Sequence, residues 1–225
     1  MADIRREPVA VIGLGRFGTA LALELTRRGT EVLAIDNRPK VVQSLAGQLS
    51  HVVAADSTDP EALNQLGLAG YTRAVVAIGT DLEASILTTT LLVDMGVADI
   101  WTKAVSRQHG RILERIGAHH VVLPEHDMGE RVAHLVYGRA LDYVEVDADF
   151  AMIKIKPPRE AVGTPLGQVK VRSRHGVTIV AVKAAERPGR TAQFIHATGD
   201  TVLAYGDEIL VVGTIDDVER FANIT

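Results

Sequence analysis

The amino-acid sequence predicts an α/β protein: a Rossmann-like, doubly wound parallel sheet followed by a second, smaller α+β domain. Hydrophobic residues make up 47% of the chain and aromatic residues only 4%, so the core must be aliphatic, as parallel strands buried on both faces require. Short apolar runs alternate with helical patterns, which is typical of βαβ units. A chain of 225 residues is long enough for two domains.

Six apolar runs of strand length are expected to form the parallel sheet. They cover residues 9–12, 32–35, 52–55, 74–78, 100–104 and 120–123. Helix start signals lie between them: Asp59 precedes Pro60, a residue favoured at the first helical position, and Asp81 precedes a helix predicted over residues 82–95. Six such strands complete a doubly wound sheet.

The chain is expected to divide into two domains, residues 1–141 and residues 142–225. The first ends in a crossover helix over residues 128–141, whose apolar stripe needs a partner to pack against. Strands predicted over residues 177–182 and 209–212, with turns at Gly199-Asp200 and Gly206-Asp207, belong to the second domain.

Composition and charge exclude several classes of function. The net charge is −4 and the 24 Lys and Arg residues are scattered, so we expect no nucleic-acid partner. The absence of cysteine excludes disulfides, thiolate catalysis and sulfur-ligated metals, and it fits a reducing cytoplasm. No apolar run approaches the ~20 residues that a membrane span needs, so action at a membrane would require another chain to cross it.

A glycine-rich loop follows the first predicted strand and precedes a helix. Gly13, Gly15 and Gly18 form a Gly-x-Gly-x-x-Gly pattern that encloses Arg16 and Phe17. The first glycine permits the tight turn, the second lets a phosphate approach the backbone, and the third lets the helix pack close to the sheet. The pattern therefore predicts a nucleotide phosphate at the N-terminus of this helix.

An acid stands at the end of the second strand, about 20 residues after the glycine motif, where a carboxylate can accept both hydroxyl groups of an adenosine ribose. This acid is Asp36, followed by Asn37 and Arg38. Asp36 would repel a 2′-phosphate whereas Arg38 could attract one, so NADP is disfavoured without being excluded.

Three further strand ends should face the same crevice, because ligands bind outside the carboxyl ends of parallel strands. Asp56, after Ala55, could accept a hydrogen bond from an adenine amino group or cap the next helix. Lys103 could reach phosphate oxygens or be a solvated strand end. The segment Ala77-Ile78-Gly79 ends the fourth strand.

Groups for catalysis are missing from the sequence. None of the four tyrosines has a lysine four residues later, as a short-chain dehydrogenase requires, and no other constellation has catalytic spacing. We therefore expect a nucleotide-binding regulator and not an enzyme. The alternative is an NAD-dependent oxidoreductase, and a third possibility, a redox-sensing transcription regulator, would need a basic DNA-binding segment that neither terminus shows.

Several motifs resemble the RCK subunits of bacterial Ktr and Trk potassium channels, most closely the KtrA type. The N-terminal resemblance rests on the glycine loop with its Arg-Phe pair, on residues 77–79 and 100–104, and on the Pro-Glu-His-Asp-Met-Gly stretch at residues 124–129. The C-terminal part resembles the TrkA-C domain at residues 171–182 and 205–213. The likeness covers nearly the whole chain.

The resemblance implies a cytoplasmic homo-octameric ring that associates with the inner face of the membrane through a channel subunit of the KtrB or TrkH type. Members of the family bind ATP and ADP, and some bind NAD(H). By position, Asp36 would hold ribose, Asp56 the adenine side, and Arg16 and Lys103 the phosphates. Glu125 would lie near Mg²⁺, Ca²⁺ or Na⁺ beside the terminal phosphate, and His109 matches a histidine near this pocket. Alternatively, Glu125 only caps or precedes the crossover helix, with a solvated carboxylate.

Several relatives in the resembled family bind cyclic di-AMP through an arginine and an asparagine of the C-terminal domain. This chain has Arg172 but carries Thr178 where the asparagine is expected. A threonine hydroxyl offers fewer contacts than an amide, so cyclic di-AMP binding stays open.

Overall fold

The computed structural model of the chain describes residues 7–185 and 192–224, and the chain separates into two compact units. The first unit is Met1–His126 and contains a six-stranded parallel sheet; the second is Asp127–Thr225 and contains a five-stranded antiparallel sheet. This arrangement confirms the predicted fold class of a doubly wound parallel sheet with a smaller α+β domain.

The parallel sheet of the first unit has the strand order β3-β2-β1-β4-β5-β6. Its strands are β1 (Val9–Ile12), β2 (Val32–Asp36), β3 (His51–Ala54), β4 (Arg73–Val76), β5 (Asp99–Lys103) and β6 (His120–Val122). Each begins within one residue of its predicted start. Strands β1 and β2 are buried throughout, as apolar runs covered on both faces should be, whereas the edge strands β3 and β6 contain exposed residues. The order reverses at β1, which pairs with both β2 and β4, and a crevice opens at such a switch point.

Five α-helices connect these strands, and two begin with the predicted caps. They are α1 (Arg16–Arg27), α2 (Pro39–Leu45), α3 (Pro60–Gln65), α4 (Leu82–Asp94) and α5 (Arg107–Arg115). The Asp59 side chain accepts a hydrogen bond from the backbone N–H of Glu61 at 2.9 Å, and Asp81 accepts one from Ala84 at 2.9 Å. These bonds satisfy donors that would otherwise lack partners at the helix starts.

Helix α6 spans Pro124–Tyr137, so the prediction of a helix over residues 128–141 was wrong at both ends. Pro124 suits the first helical turn, where a missing N–H costs nothing, and the helix therefore starts four residues earlier than the apolar periodicity suggests. Leu135 packs against the core of the second unit, whereas Val132 and Val136 are exposed. The units divide inside α6, between His126 and Asp127, and a boundary after residue 141 remains a prediction.

The second unit is an antiparallel sheet with short helices. Its strand order is β10-β9-β11-β8-β7, formed by β7 (Asp142–Asp147), β8 (Phe150–Ile155), β9 (Thr178–Lys183), β10 (Phe194–His196) and β11 (Glu208–Thr214). The helices are α7 (Leu166–Val169), α8 (Val171–His175) and α9 (Ile215–Ala222). Over the described part of the chain, no helix combines the length and apolarity needed to cross a membrane.

Candidate functional site

A cleft of about 640 Å³ opens at the carboxyl ends of the parallel strands in the first unit. Its volume falls within the range of ~300–1,000 Å³ that is typical of small-molecule sites. Most of the predicted site residues line it: Gly13, Gly15, Arg16, Phe17, Asp36, Asn37, Arg38, Asp56, Ala77, Ile78, Gly79, Lys103 and Glu125. Gly18, Ala55 and His109 are not among its lining residues.

The glycine loop forms the floor of the cleft, where β1 turns into α1. Gly13 has a φ of +94°, a conformation that side chains rarely allow, and its N–H donates to the Ile35 carbonyl at 2.8 Å. Gly15 immediately precedes α1, and a Cβ built on it would meet no atom within 4 Å. The backbone at Gly15 is therefore open to the cleft, beside the N–H groups of the first turn of α1.

Gly18 lies within α1 and supports the loop from behind. A Cβ at this position would lie 1.9 Å from the carbonyl oxygen of Gly13 and 3.0 Å from the Cβ of Ala77. The loop, α1 and the end of β4 can approach this closely only because residue 18 has no side chain. Gly18 thus acts through packing and not through direct contact with a ligand.

Asp36 is buried at the end of β2, and its carboxylate is held by four donors. The N–H groups of Leu14 and Arg38 donate to it at 2.7 and 2.9 Å, and the guanidinium of Arg38 donates through Nε and Nη2, both at 2.9 Å. Burial alone would raise the pKa of Asp36, but the hydrogen bonds from Arg38 and Leu14 outweigh it, so the pKa lies below its usual value. The group is therefore an ionised acceptor at the edge of the cleft.

Asp56 lies in the cleft after β3 and organises its own loop. Its Oδ1 accepts hydrogen bonds from the N–H and the hydroxyl of Thr58, at 2.9 and 2.7 Å, and these bonds lower the pKa of the carboxyl. Asp59, and not Asp56, caps α3. Both bonds use Oδ1, so neither of them occupies Oδ2.

Lys103 and Glu125 form an ion pair on the opposite side of the cleft from Asp36 along the sheet. Lys103 Nζ lies 2.6 Å from Glu125 Oε1, and this hydrogen bond lowers the pKa of the Glu125 carboxyl, with a smaller contribution from the charge of Arg16. The Lys103 side chain is 12% exposed and that of Glu125 62%. Lys103 is thus a nearly buried cation, and the interpretation of a solvated strand end does not describe it.

His109 is buried beneath the loop that follows β5 and does not reach the cleft surface. Its Nδ1 accepts a long hydrogen bond of 3.4 Å from the N–H of Val105, a residue that does line the cleft. Burial lowers the pKa of the His109 imidazole. The ring therefore supports the loop in its neutral form.

Acidification is expected to destabilise the protein through His109. The unfolded chain, in which histidine titrates near ~6.5, takes up a proton at a higher pH than the folded chain does. The stability due to neutral His109 is therefore complete above pH ~6.5 and is lost as the pH falls through this value toward the lower folded pKa. Urea unfolding of the wild type and His109→Gln at about pH 7 and about pH 5 should show a smaller loss in the variant. His196→Gln, at an exposed histidine, should behave as the wild type does; equal losses in all three proteins would contradict the prediction.

Two cleft residues had no sequence signal of their own. Ala84 lies in the first turn of α4 and Val105 follows the end of β5. Each comes shortly after a strand that ends at the crevice, so the general rule for parallel sheets points to the segments but not to the side chains.

The described ranges contain no preformed metal site. No three His, Asp or Glu side chains of residues 7–185 and 192–224 converge on one point. Glu125 supplies one carboxylate to the cleft, so a cation there would need further ligands from a bound molecule or from water.

A second, shallower cleft of about 360 Å³ lies in the antiparallel unit. Its lining includes Lys170, Arg172, Thr178 and Thr198, so the arginine and the threonine singled out by the resemblance lie in the same depression. The structure thus places in one depression the two residues that the family resemblance associates with cyclic di-AMP.

Two family models match the chain: the TrkA-N domain over residues 9–124 and the TrkA-C domain over residues 150–225. The chain is 36% identical over 217 residues to Ktr system potassium uptake protein C of Bacillus subtilis (strain 168), with 96% of each chain covered. It is 33% identical over 224 residues to Ktr system potassium uptake protein A of the same organism, with 99% of each covered.

Solved structures of the GsuK channel share the fold. The GsuK RCK domain matches with a TM-score of 0.65 and 18% identity, over 99% of this chain and 49% of that one. A structure of the GsuK channel bound to NAD matches with a TM-score of 0.64 and 17% identity, over 100% of this chain and 40% of that one. The present chain therefore spans about half of the GsuK RCK chain.

The parallel unit with its glycine-lined cleft and the antiparallel unit after it define a protein of the TrkA type, with one TrkA-N and one TrkA-C domain. Within this class, the chain is 33–36% identical to two Ktr proteins over nearly its whole length, and this identity shows its family. The chain belongs to the Ktr potassium uptake family.

Proposed function

We propose that this chain is a nucleotide-sensing regulatory subunit of a potassium uptake system, which distinguishes ATP from ADP in the cleft of its first unit and gates a separate membrane subunit. NAD(H) is the alternative adenosine ligand. The relatives named as Ktr potassium uptake proteins support the assignment to potassium transport. The cleft itself supports the nucleotide.

The observation that carries the proposal is the order of chemical groups along the cleft. An ionised acceptor at Asp36 suits ribose, the open backbone at Gly15 with the N-terminus of α1 suits the first phosphates, and Arg16 with Lys103 suits the terminal ones. Asp56 lies on the adenine side. A nucleoside polyphosphate has complementary groups in this same sequence.

The terminal phosphate is the group that can separate ATP from ADP. Arg16 is exposed at the start of α1, and Lys103 forms an ion pair with Glu125. A γ-phosphate adds charge and three acceptor oxygens that both cations can bind. An anion that reaches Lys103 must compete with Glu125, so the response depends on phosphate length.

Gating requires that the effector bind differently to two global states, because a ligand with equal affinity for both shifts nothing. A typical allosteric coupling is about 1–3 kcal/mol per site. We infer that several copies act together in a ring of eight, cytoplasmic and held at the inner face of the membrane by a channel subunit of the KtrB or TrkH type. Co-purification with such a membrane subunit, at saturating ATP and at saturating ADP, tests this part of the proposal.

Ligand identity can be tested on the purified full chain with a thermal-shift panel of ATP, ADP, NAD, NADH and cyclic di-AMP. Binding raises the unfolding temperature by an amount that grows with the logarithm of the ligand concentration divided by Kd. Cyclic di-AMP has its candidate site in the cleft of Arg172 and Thr178, so Arg172→Gln should remove its effect and leave that of ATP. Turnover of NADH with any carbonyl substrate would favour the oxidoreductase instead.

Asp36→Asn is expected to lower the affinities for ATP, ADP and NAD to a similar extent, because the ribose contact is common to all three ligands. Loss of a charge-assisted hydrogen bond predicts about a tenfold rise in Kd, measured by calorimetry. Asp59→Asn is the matched control, since Asp59 caps α3 and does not line the cleft. Unchanged affinity of Asp36→Asn for all three ligands would place the ribose elsewhere.

A further inference from the structure

The acceptor positions of the Asp36 carboxylate are all taken by donors of the protein itself. Its Oδ1 accepts from the backbone N–H and from Nε of Arg38, and its Oδ2 accepts from the N–H of Leu14 and from Nη2 of Arg38. A carboxylate offers about four lone-pair positions, and these four bonds fill them. A ribose hydroxyl can bind Asp36 only if one donor leaves.

The guanidinium of Arg38 is the donor that can leave. The N–H groups of Leu14 and Arg38 belong to the backbone of the glycine loop and of the segment that follows β2, where the fold fixes them. The Arg38 side chain is 58% exposed, whereas the Asp36 side chain is 4% exposed. The guanidinium is therefore largely in solvent, and it can leave the carboxylate without a change in the backbone when a ribose hydroxyl takes over its hydrogen bond.

Arg38 also changes the net charge at the ribose end of the cleft, and therefore which ligands this end repels. An unpaired acid at the end of β2 disfavours a 2′-phosphate, but here a bidentate arginine compensates the charge of Asp36. Arg38 lines the cleft, and its contacts with Asp36 use Nε and Nη2, so the N–H groups of Nη1 are not engaged by that carboxylate. The planar guanidinium suits a phosphate as well as a carboxylate.

We propose that Arg38 is a specificity residue that lets the cleft take adenosine nucleotides phosphorylated on the ribose 2′ position, a class that includes NADP(H). With a 2′-hydroxyl ligand, Arg38 is a competitor that must leave Asp36; with a 2′-phosphate ligand, Arg38 is itself the recognition group. The proposal rests on the proposed nucleotide function of the same cleft. Removal of the Arg38 side chain should therefore lower the affinity for 2′-phosphate ligands and leave the affinity for 2′-hydroxyl ligands unchanged or higher.

The test measures by calorimetry the affinities of the full chain for AMP and for adenosine 2′,5′-bisphosphate, two ligands that differ only in the 2′-phosphate. ADP serves as a third ligand. The wild type is expected to bind the bisphosphate within about tenfold of AMP. Arg38→Gln should lower the affinity for the bisphosphate by about tenfold or more, because charge-assisted hydrogen bonds to the phosphate are lost. The affinities for AMP and ADP should be unchanged or higher. Arg38→Lys, which keeps the charge but not the planar fork, should restore part of the bisphosphate affinity.

Arg27→Gln is the matched control. Arg27 also makes a bidentate pair, with Glu24, but on the exposed end of α1 outside the cleft, so its loss should change neither affinity. Binding of AMP and ADP to the wild type without binding of the bisphosphate would overturn the role of Arg38 and leave the proposed function intact. An equal loss of AMP and bisphosphate in Arg38→Gln would also overturn it, and failure of every nucleotide to bind the wild type would refute both proposals.

Discussion

Gly18→Ala should cause the largest loss of stability and of nucleotide binding among substitutions in the glycine loop. The new methyl group would lie 1.9 Å from the Gly13 carbonyl oxygen and 3.0 Å from the Cβ of Ala77, both parts of the close contact between loop, helix and sheet. The backbone has to move, and overpacking of this kind costs about 3 kcal/mol of unfolding free energy or more. Urea unfolding measures the loss, and calorimetry should find no ADP binding.

Gly15→Ala provides the contrast, because it adds the same methyl group three residues earlier. Gly15 has a φ of −71°, which any residue adopts, and its Cβ would meet no protein atom within 4 Å. The unfolding free energy should therefore stay within about 0.5 kcal/mol of the wild type. The methyl group instead occupies the space that a phosphate needs, so ADP affinity should fall by about tenfold or more, a loss of at least ~1.4 kcal/mol in binding free energy. Normal ADP binding by Gly15→Ala would show that no phosphate approaches the loop there.

Glu125→Gln should abolish the dependence of ATP affinity on cations. Lys103 Nζ lies 2.6 Å from Glu125 Oε1 and compensates its charge. A γ-phosphate that recruits Lys103 leaves the carboxylate facing an anion, and two such charges 4 Å apart repel by about 4 kcal/mol at an effective dielectric constant of ~20. We therefore expect Mg²⁺, Ca²⁺ or Na⁺ to strengthen ATP binding in the wild type by taking the place of Lys103 beside Glu125.

Calorimetric titration of ATP and ADP, with and without each cation, measures this effect. The Glu125→Gln variant should show the same ATP affinity in all conditions and wild-type affinity for ADP, whose shorter chain stops before Glu125. Glu114→Gln is the control, because Glu114 is an exposed acid of α5 outside the cleft. Arg16→Ala should weaken ATP more than ADP, by about tenfold, since it removes a charge-assisted contact to the terminal phosphate. Identical cation responses of Glu125→Gln and the wild type would exclude the bridging role.

The elements that could be predicted from the sequence are those encoded within short stretches of chain. The six parallel strands follow from short apolar runs, and the caps at Asp59 and Asp81 follow from the residue types at helix starts. In the second unit, residues 177–182 and 209–212 mark strands β9 and β11, but β7, β8 and β10 were missed. Antiparallel strands with one exposed face are less apolar, so their signal depends on alternation over only a few residues.

The fold class, the family resemblance and the position of the glycine loop with Asp36 can be predicted from the sequence, because each depends on residue types and spacing along the chain. The pairing of the side chains in the cleft cannot be predicted in this way and is seen in the folded chain. In the structure, Lys103 forms an ion pair with Glu125, and Arg38 forms one with Asp36. His109 is buried and does not line the cleft. Lys103 and Glu125 are 22 positions apart, and they meet because β5 and β6 are neighbours in the sheet. Pairings of this kind depend on strand order, side-chain rotamers and burial, which are properties of the packed chain and not of any local segment.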